Sequence, residues 1–572
     1  MSRKIAIASL VSCVLFAGIA SALFGVLDFE PVLGASHDSI ADLQSIPIGA
    51  VHLRGVVTYA DPLRKRFWIQ DDTGAIAIES PPNGIGAGQL ADVQARKTHA
   101  YDPATGLASV ALADFRVSAK KQRRPLPTPA PATLKNLPQK ERSGTRVQLT
   151  AVIHSISKDE YGSPMIAVGE LGYETWSQLP TNSTNLVINA KVVLTGVSEF
   201  RYQANGYIKA HQLWVQNSED IQLVEDPPES AVTYSVQSLY RDAQALNGHA
   251  VTLRGYVTAE NGAYGIIVED SWGAVDCTFD DAGTVPIGSA VEVTGFPRTD
   301  GLRIQIIHTR LKVLPPGTLP RMQEEAESAL TSIAAVRALT PEQANSAMPV
   351  RVTGVVTFID TEWQQLFLQD STAGIYVKFP GSGSPIVLGE RLTVVGLTNA
   401  GGYAPTIVAP KLIPLGHARL PRPIAITAQD ASSGALDSVF AEVEGIVHPL
   451  KDGQDPKHLS FDLYSAFGQV HISSAPNFGV IGDLRKIEDA KVRVRGVCSA
   501  LFNSRRQLVG IQVSLMSMKD IKVIEAPDTA PFEKPTTPID ELLQFSPNAR
   551  FNHRVKVTGA VTMVGAGFFY PG

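Results

Sequence analysis

Residues 350–379 read VRVTGVVTFIDTEWQQLFLQDSTAGIYVKF. Three short runs of β-branched and aromatic residues are separated by two clusters of turn formers. The first cluster is Asp360, Thr361 and Glu362; the second is Asp370, Ser371, Thr372, Ala373 and Gly374. This order specifies a strand, a hairpin, a second strand, a tight turn and a third strand. Strand alternation sorts the side chains. Leu366, Leu368, Ile375 and Val377 share one parity and are expected inside. Phe367, Gln369, Tyr376 and Lys378 share the other and are expected to face out.

The same pattern recurs along the chain. Arg54, Gly55, Val56, Val57 and Thr58 lead to Phe67, Trp68, Ile69, Gln70 and Asp71. Arg254, Gly255, Tyr256, Val257 and Thr258 lead to Ile266, Ile267, Val268, Glu269 and Asp270. Weaker copies open with His154, with Gly445 and His448, and with Gly559. The spacing of roughly 100 residues is too long for a solenoid and suits a small domain. A second glycine-bearing strand follows in most copies, at Gly196, Gly295, Gly396 and Gly496, with Ala95 in its place in the first. A closing strand comes after it. Five strands with glycine inside two of them fit a small Greek-key barrel, in which a strand glycine marks a bulge or sharp bend.

The run from Ile69 to Ile78, with its Gln-Asp-x-Thr-Gly core, resembles the hairpin between strands 2 and 3 of OB-fold domains. The whole arrangement resembles the extracytoplasmic OB-fold-like repeat region of bacterial membrane-bound sensor histidine kinases, over most of the chain after residue 45. The fold expected is all-β: a tandem array of five OB-like five-stranded Greek-key barrels plus a truncated sixth, preceded by one N-terminal transmembrane helix. The units are expected at residues 45–119, 132–224, 232–314, 329–416, 425–525 and, incomplete, 536–572, with a basic, proline-rich linker at 120–131. The second and fifth copies depart from the pattern by lacking the clean Gln-Asp turn. The sixth copy stops two strands into a five-stranded barrel, so the reading frame is expected to continue.

Composition supports a multidomain globular chain. It has 572 residues, 44% hydrophobic and 18% charged, with 47 glycines and 38 prolines suited to a turn-rich β array. The formal net charge is −5. Phosphate neutralisation supplies most of a general nucleic-acid binder's affinity, so no nucleic-acid partner is expected. Of three cysteines, Cys277 and Cys498 sit in strands of different units and are expected as buried free thiols; Cys13 lies near the N-terminus. No Cys/His cluster has zinc spacing, and no metal or other cofactor is expected.

Arg3 and Lys4 precede an apolar run over residues 5–27, about 23 residues and long enough to span a bilayer. The positive flank places the N-terminus in the cytoplasm and the repeats in the periplasm or outside. Ala20, Ser21 and Ala22 also form a signal-peptidase pattern, so residues 1–28 are an anchor or a signal peptide. Short helices are expected before several barrels, as plugs for their open ends. Lys120, Lys121, Arg123 and Arg124, the prolines that follow them, and the pairs Pro227–Pro228 and Pro315–Pro316 read as joints holding the barrels apart.

No nucleophile elbow, phosphate loop, zincin or dinucleotide motif is present, and the chain is read as non-enzymatic. Asp71 and Asp72 read as turn residues. His154 and His448, in separate units at the place of Thr58, Thr258 and Thr357, read as exposed strand residues. The expected ligand-binding set is the outward hairpin face: Trp68 and Gln70 in the first unit, and Phe367, Gln369, Tyr376 and Lys378 in the fourth. Aromatic rings beside amides suit a sugar, and the ligand class is a small molecule, a glycan or a protein. Two readings follow. One is a sensory array of a membrane-anchored signalling protein, dimeric through a module beyond this chain. The other is an envelope-anchored or secreted scaffold for polysaccharide. An OB-type nucleic-acid binder is the third, disfavoured by charge.

Overall fold

The computed structural model describes residues 38–571 apart from 45–47, 80–83, 102–107, 138–141, 171, 184–185, 203–207, 300, 320–328, 380–385, 432, 451–454, 456, 466–467, 477, 529, 543, 545–551 and 566–567. The expected anchor or signal segment over residues 1–28 lies outside the described residues. Among those described, no helix is long and apolar enough to cross a membrane. The chain divides into two compact units. One comprises residues 1–128, 140–146 and 200–210 and holds the first barrel; the other comprises residues 129–139, 147–199 and 211–572.

The fourth barrel shows how sequence becomes fold. Its strands are Pro349–Asp360, Gln365–Gln369, Gly374–Lys378, Glu390–Asn399 and Thr406–His417. The first pairs antiparallel with the second and the fourth, the third runs parallel to the fifth, and the sheet closes. This is the strand order of an OB-like Greek-key barrel. Val352, Val356, Leu366, Leu368, Ile375, Val377, Leu392 and Val394 are all fully buried inside it. The parity read from the sequence therefore matches the interior.

The two strand glycines of the fourth unit do different work. A Cβ on Gly354 would lie 2.7 Å from the Gln369 carbonyl oxygen, so this glycine permits close approach of the first two strands. The bulge itself comes three residues later: register shifts between Val356 and Phe358, which makes Thr357 the extra residue. In the fourth strand, register shifts between Val395 and Leu397, and Gly396 is the bulge residue, with a Cβ only 2.8 Å from Val408 O.

The second, third and fifth barrels close with the same strand order, and in each the third strand runs parallel to the fifth. In the first barrel, five strands from Gly49–Asp61 to Ala108–Arg123 form one sheet, and among the described residues its third and fifth strands do not pair. Lys120, Lys121 and Arg123 belong to that last strand, paired as far as Gln89↔Arg123, so the basic run is not linker as expected. The pleat continues through it because Val117 and Ala119 still find partners in Val93 and Ala91. The second and fifth barrels add a further strand, Ile221–Glu225 and Ile521–Glu525, against their fourth. Beyond the fifth barrel, Val561–Gly565 and Phe568–Pro571 form a two-stranded hairpin.

Short lead-in helices close the barrel ends. Ser235 caps the helix Val236–Arg241, whose Val236 and Leu239 enter the third core; Ile333 and Val336 do the same in the fourth. The turn aspartates hold these helices in place. Asp370 Oδ1 accepts from the Thr372 and Ala373 N–H groups, closing its own turn, and Oδ2 accepts from the Ile333 N–H at 3.0 Å. Asp71 and Asp270 make the equivalent bonds to Ile40 and Val236. Asp71 is thus a structural turn residue. Cys277 and Cys498 are buried in the cores of the third and fifth barrels.

Candidate functional site: the barrel seams

The outward hairpin face is where the sequence places a ligand. In the fourth barrel that face carries the fifth barrel. Phe367 is buried, edge-on to Phe358 and Tyr376 at 5.9 and 5.4 Å between ring centres. It packs with Phe440, Ala475 and Val497 of the fifth barrel, and Tyr376 packs against the same cluster. Gln369 Oε1 accepts a hydrogen bond from the Phe440 backbone N–H at 2.8 Å. Lys378 lies at the other end of its strand, lining a crevice with Asp276 and Arg303 of the third barrel. The structure therefore brings Phe367, Gln369 and Tyr376 together but directs Lys378 to a different seam.

In the first unit, Trp68 is 1% exposed, edge-on to Tyr59 at 5.4 Å, with the Arg66 guanidinium 4.3 Å from its ring centre. Gln70 Oε1 accepts from the Arg146 N–H at 2.9 Å, the counterpart of the Gln369 bond. A ligand reaching any of these aromatic rings would first have to displace the protein that covers them.

The proline joints do not hold the barrels of the second unit apart, because direct side-chain contacts between neighbours dominate. At the third–fourth seam, Arg303 Nε donates to Asp276 Oδ2 at 2.7 Å and its Nη1 donates to Gln364 at 2.9 Å. Lys411 Nζ donates to the Asp270 carbonyl, with Glu269 Oε2 3.6 Å away.

A dense set of titratable groups lies at the second–third seam. His154 is the bulge residue of its strand, because register shifts between Ile153 and Ser155. It is 3% exposed rather than exposed as expected, and its ring stacks on Phe296 of the third barrel at 4.1 Å. Alternation keeps it on the outer face with Val152, and it is buried because Phe296 of the third barrel covers that face. Nε2 of His154 lies 3.0 Å from the Gly248 carbonyl oxygen, and Nδ1 lies 2.9 Å from Glu174. His308 of the third barrel shares Glu174 at 3.0 Å and also pairs with Asp280. Burial alone would raise the Glu174 carboxyl, but hydrogen bonds from both histidines outweigh it and bring it down to about 2. Burial alone would lower His308, but its bonds to Glu174 and Asp280 outweigh it and hold it above the ordinary value. These groups bridge two barrels and open on a cleft of about 620 Å³ that includes Arg310 and Asp281.

His448 occupies the same place in the fifth barrel. Its Nε2 lies 3.0 Å from the Asn552 carbonyl oxygen, and its ring stacks on Tyr464 at 3.8 Å. Asp489 Oδ1 accepts from the Arg554 N–H, as Asn189 Oδ1 accepts from the Ala250 N–H. The joints thus recur with a period of three barrels. A glutamine of the second strand leads out of the first and fourth barrels. A histidine at the end of the first strand's barrel segment, His154 or His448, and an Asn or Asp lead out of the second and fifth. In each, the acceptor meets an N–H two residues beyond a left-handed residue: Gly144, Gly248, Ser438 and Asn552. The third–fourth joint differs because the corresponding residue after Ala347 is Pro349, which has no N–H.

No protein-family model matches the chain, and no curated protein matches its sequence. Solved structures similar to parts of it include the hypothetical protein ygiW from E. coli, 22% identical over 15% of this chain and 94% of that one, with a TM-score of 0.13. Others are the Ifi202 HINa domain in complex with 20 bp dsDNA, 11% identical over 30% and 100%, TM-score 0.18, and the p204 HINb domain, 12% identical over 29% and 95%, TM-score 0.15.

Proposed function

We propose that the chain is a non-catalytic binding array held outside the cytoplasm, serving as the sensory arm of a membrane-anchored signalling protein. The observation that carries this reading is the use of the outward hairpin face. In the fourth barrel Phe367, Gln369 and Tyr376 hold the next barrel instead of presenting a free platform. Barrels joined through buried aromatic and hydrogen-bonded seams move together, which suits an arm that carries a binding event from one place to another. The apolar run behind Arg3 and Lys4 supplies the tether and sets the direction.

Two measurements test it. Alkaline phosphatase, active only after export, fused behind residue 525 should be active in a bacterial host; an inactive phosphatase with a fluorescent cytoplasmic GFP fusion refutes the placement. Spin labels on the fourth and fifth barrels should give one narrow distance distribution. A broad distribution in the unaltered chain refutes the connected arm.

A further inference from the structure

A large cleft of the second unit is unrelated to the hairpin faces. It has a volume of about 1110 Å³, above the usual range for a pocket that takes one small molecule. Loops between the fourth and fifth strands of the third, fourth and fifth barrels converge on it, together with the Gly172 turn of the second. In OB-like barrels this loop borders the ligand surface.

The cleft is built rather than incidental. Asn345 Oδ1 accepts from the Ala400 N–H and Asn399 Oδ1 from the Gly401 N–H, which fixes the fourth-barrel loop. Arg506 of the fifth barrel donates to the Ala400 carbonyl at 2.7 Å, locking the neighbouring loop onto it. The Thr299 N–H donates to the Gly172 carbonyl at 3.2 Å, so the second and third barrels are also joined here. Four loops are thus held in place before any ligand arrives, and little ordering cost remains for binding.

Its charge runs against that of the chain. The chain carries −5 overall, yet the lining has Lys135, Arg241, Arg298 and Arg506 against Glu170 and Asp242. Asp242 is already engaged by Arg241 through two bonds of 2.9 and 3.1 Å. A positive cleft on an acidic protein concentrates anions locally. Tyr173, 41% exposed, adds an aromatic surface.

We propose that this cleft binds an acidic oligosaccharide, with sugar carboxylates on Arg298 and Lys135 and a pyranose face on Tyr173. Guanidinium groups match carboxylates in a planar fork, and an aromatic ring beside polar groups suits a sugar. A nucleic acid fits less well, since Tyr173 is the exposed aromatic the cleft offers and the chain lacks the basic charge that phosphate binding needs. The proposal rests on the binding-array reading, and it is tested without reference to export, so either can fail alone.

The test is calorimetric titration of the full chain with tetragalacturonate at low salt, with maltotetraose and a single-stranded 12-mer DNA as competitors. Saturable binding that weakens with salt is expected, with the neutral sugar at least about tenfold weaker. Arg298→Ala and Tyr173→Ala should each weaken binding by about tenfold while the melting temperature stays unchanged, since both side chains are at the surface. If either variant loses stability, Lys135→Ala, also exposed, takes its place. Absence of tetragalacturonate binding, equal binding of maltotetraose, tighter binding of the DNA, or indifference to all three variants overturns the proposal.

Discussion

His458 of the fifth barrel meets Asp360 of the fourth, Nε2 to Oδ2 at 2.8 Å, with both side chains buried. The other oxygen of Asp360 accepts from the Glu362 and Trp363 N–H groups and closes its own hairpin. The Trp363 ring lies over the imidazole at 3.8 Å. In the first barrel Asp61 closes the corresponding turn through Leu63 and Arg64. One aspartate therefore shapes a turn and also fastens a neighbour.

Replacing His458 with Ala strands a buried carboxylate, a change that costs about 3 kcal/mol. Urea unfolding should show that loss, with the double variant Asp360→Asn, His458→Ala costing less than the sum of the single changes. Strict additivity would mean that the two side chains do not interact.

Phe367→Ala removes a buried ring from the seam and is expected to cost about 3–5 kcal/mol. Gln369→Ala leaves the Phe440 N–H without its partner and should cost about 1–2 kcal/mol. Differential scanning calorimetry distinguishes these losses from the unchanged melting temperature that a free ligand platform would give.

Stability of the second–third seam should depend on pH from both sides. His308 binds its proton more tightly when folded, so its contribution is complete below the ordinary value of 6.5 and is lost as pH rises through its raised folded value. Glu174 is depressed, so its contribution is complete above the ordinary 4.5 and is lost as pH falls toward about 2. Between those ordinary values both contributions are present. The melting temperature of the wild type should therefore fall on the alkaline side more than that of His308→Gln; parallel profiles would remove His308 from the account.

Cys277 and Cys498 should resist thiol reagents until the protein unfolds. Burial raises both thiols, with the charge of Asp437 adding to the effect at Cys498, which is pushed up to about 12. Titration with a chromophoric disulfide in native buffer should leave both unmodified, and labelling in guanidinium should recover them. Rapid native labelling at either position would contradict the observed burial.

The interior of each barrel was legible because strand parity is local. Leu366, Leu368, Ile375 and Val377 needed nothing beyond their own alternation to be placed inside. The Asp of the Gln-Asp pair was legible for the same reason, since it bonds the two or three residues after it. The Gln was not. Its partner is a backbone N–H 71 positions away, and a backbone amide leaves no mark in a sequence. Phe367 was correctly placed on the outer face, but what covers it depends on where Phe440 and Val497 arrive. His154 also lies on the outer face, as its alternation indicates, but the Phe296 ring that buries it belongs to the next barrel and leaves no local mark.

The joints impose a phase on the array. Excising the third barrel alone would set Asn189 against Pro349, an acceptor facing a residue that has no proton to offer. Excising the third, fourth and fifth together would instead bring Asn189 to the Arg554 N–H, which already meets an equivalent acceptor in Asp489. Removing the third, fourth and fifth barrels preserves the kind of joint left behind, whereas removing the third alone does not. Barrels of this chain are therefore not interchangeable beads, and the triplet is the unit in which such an array can grow.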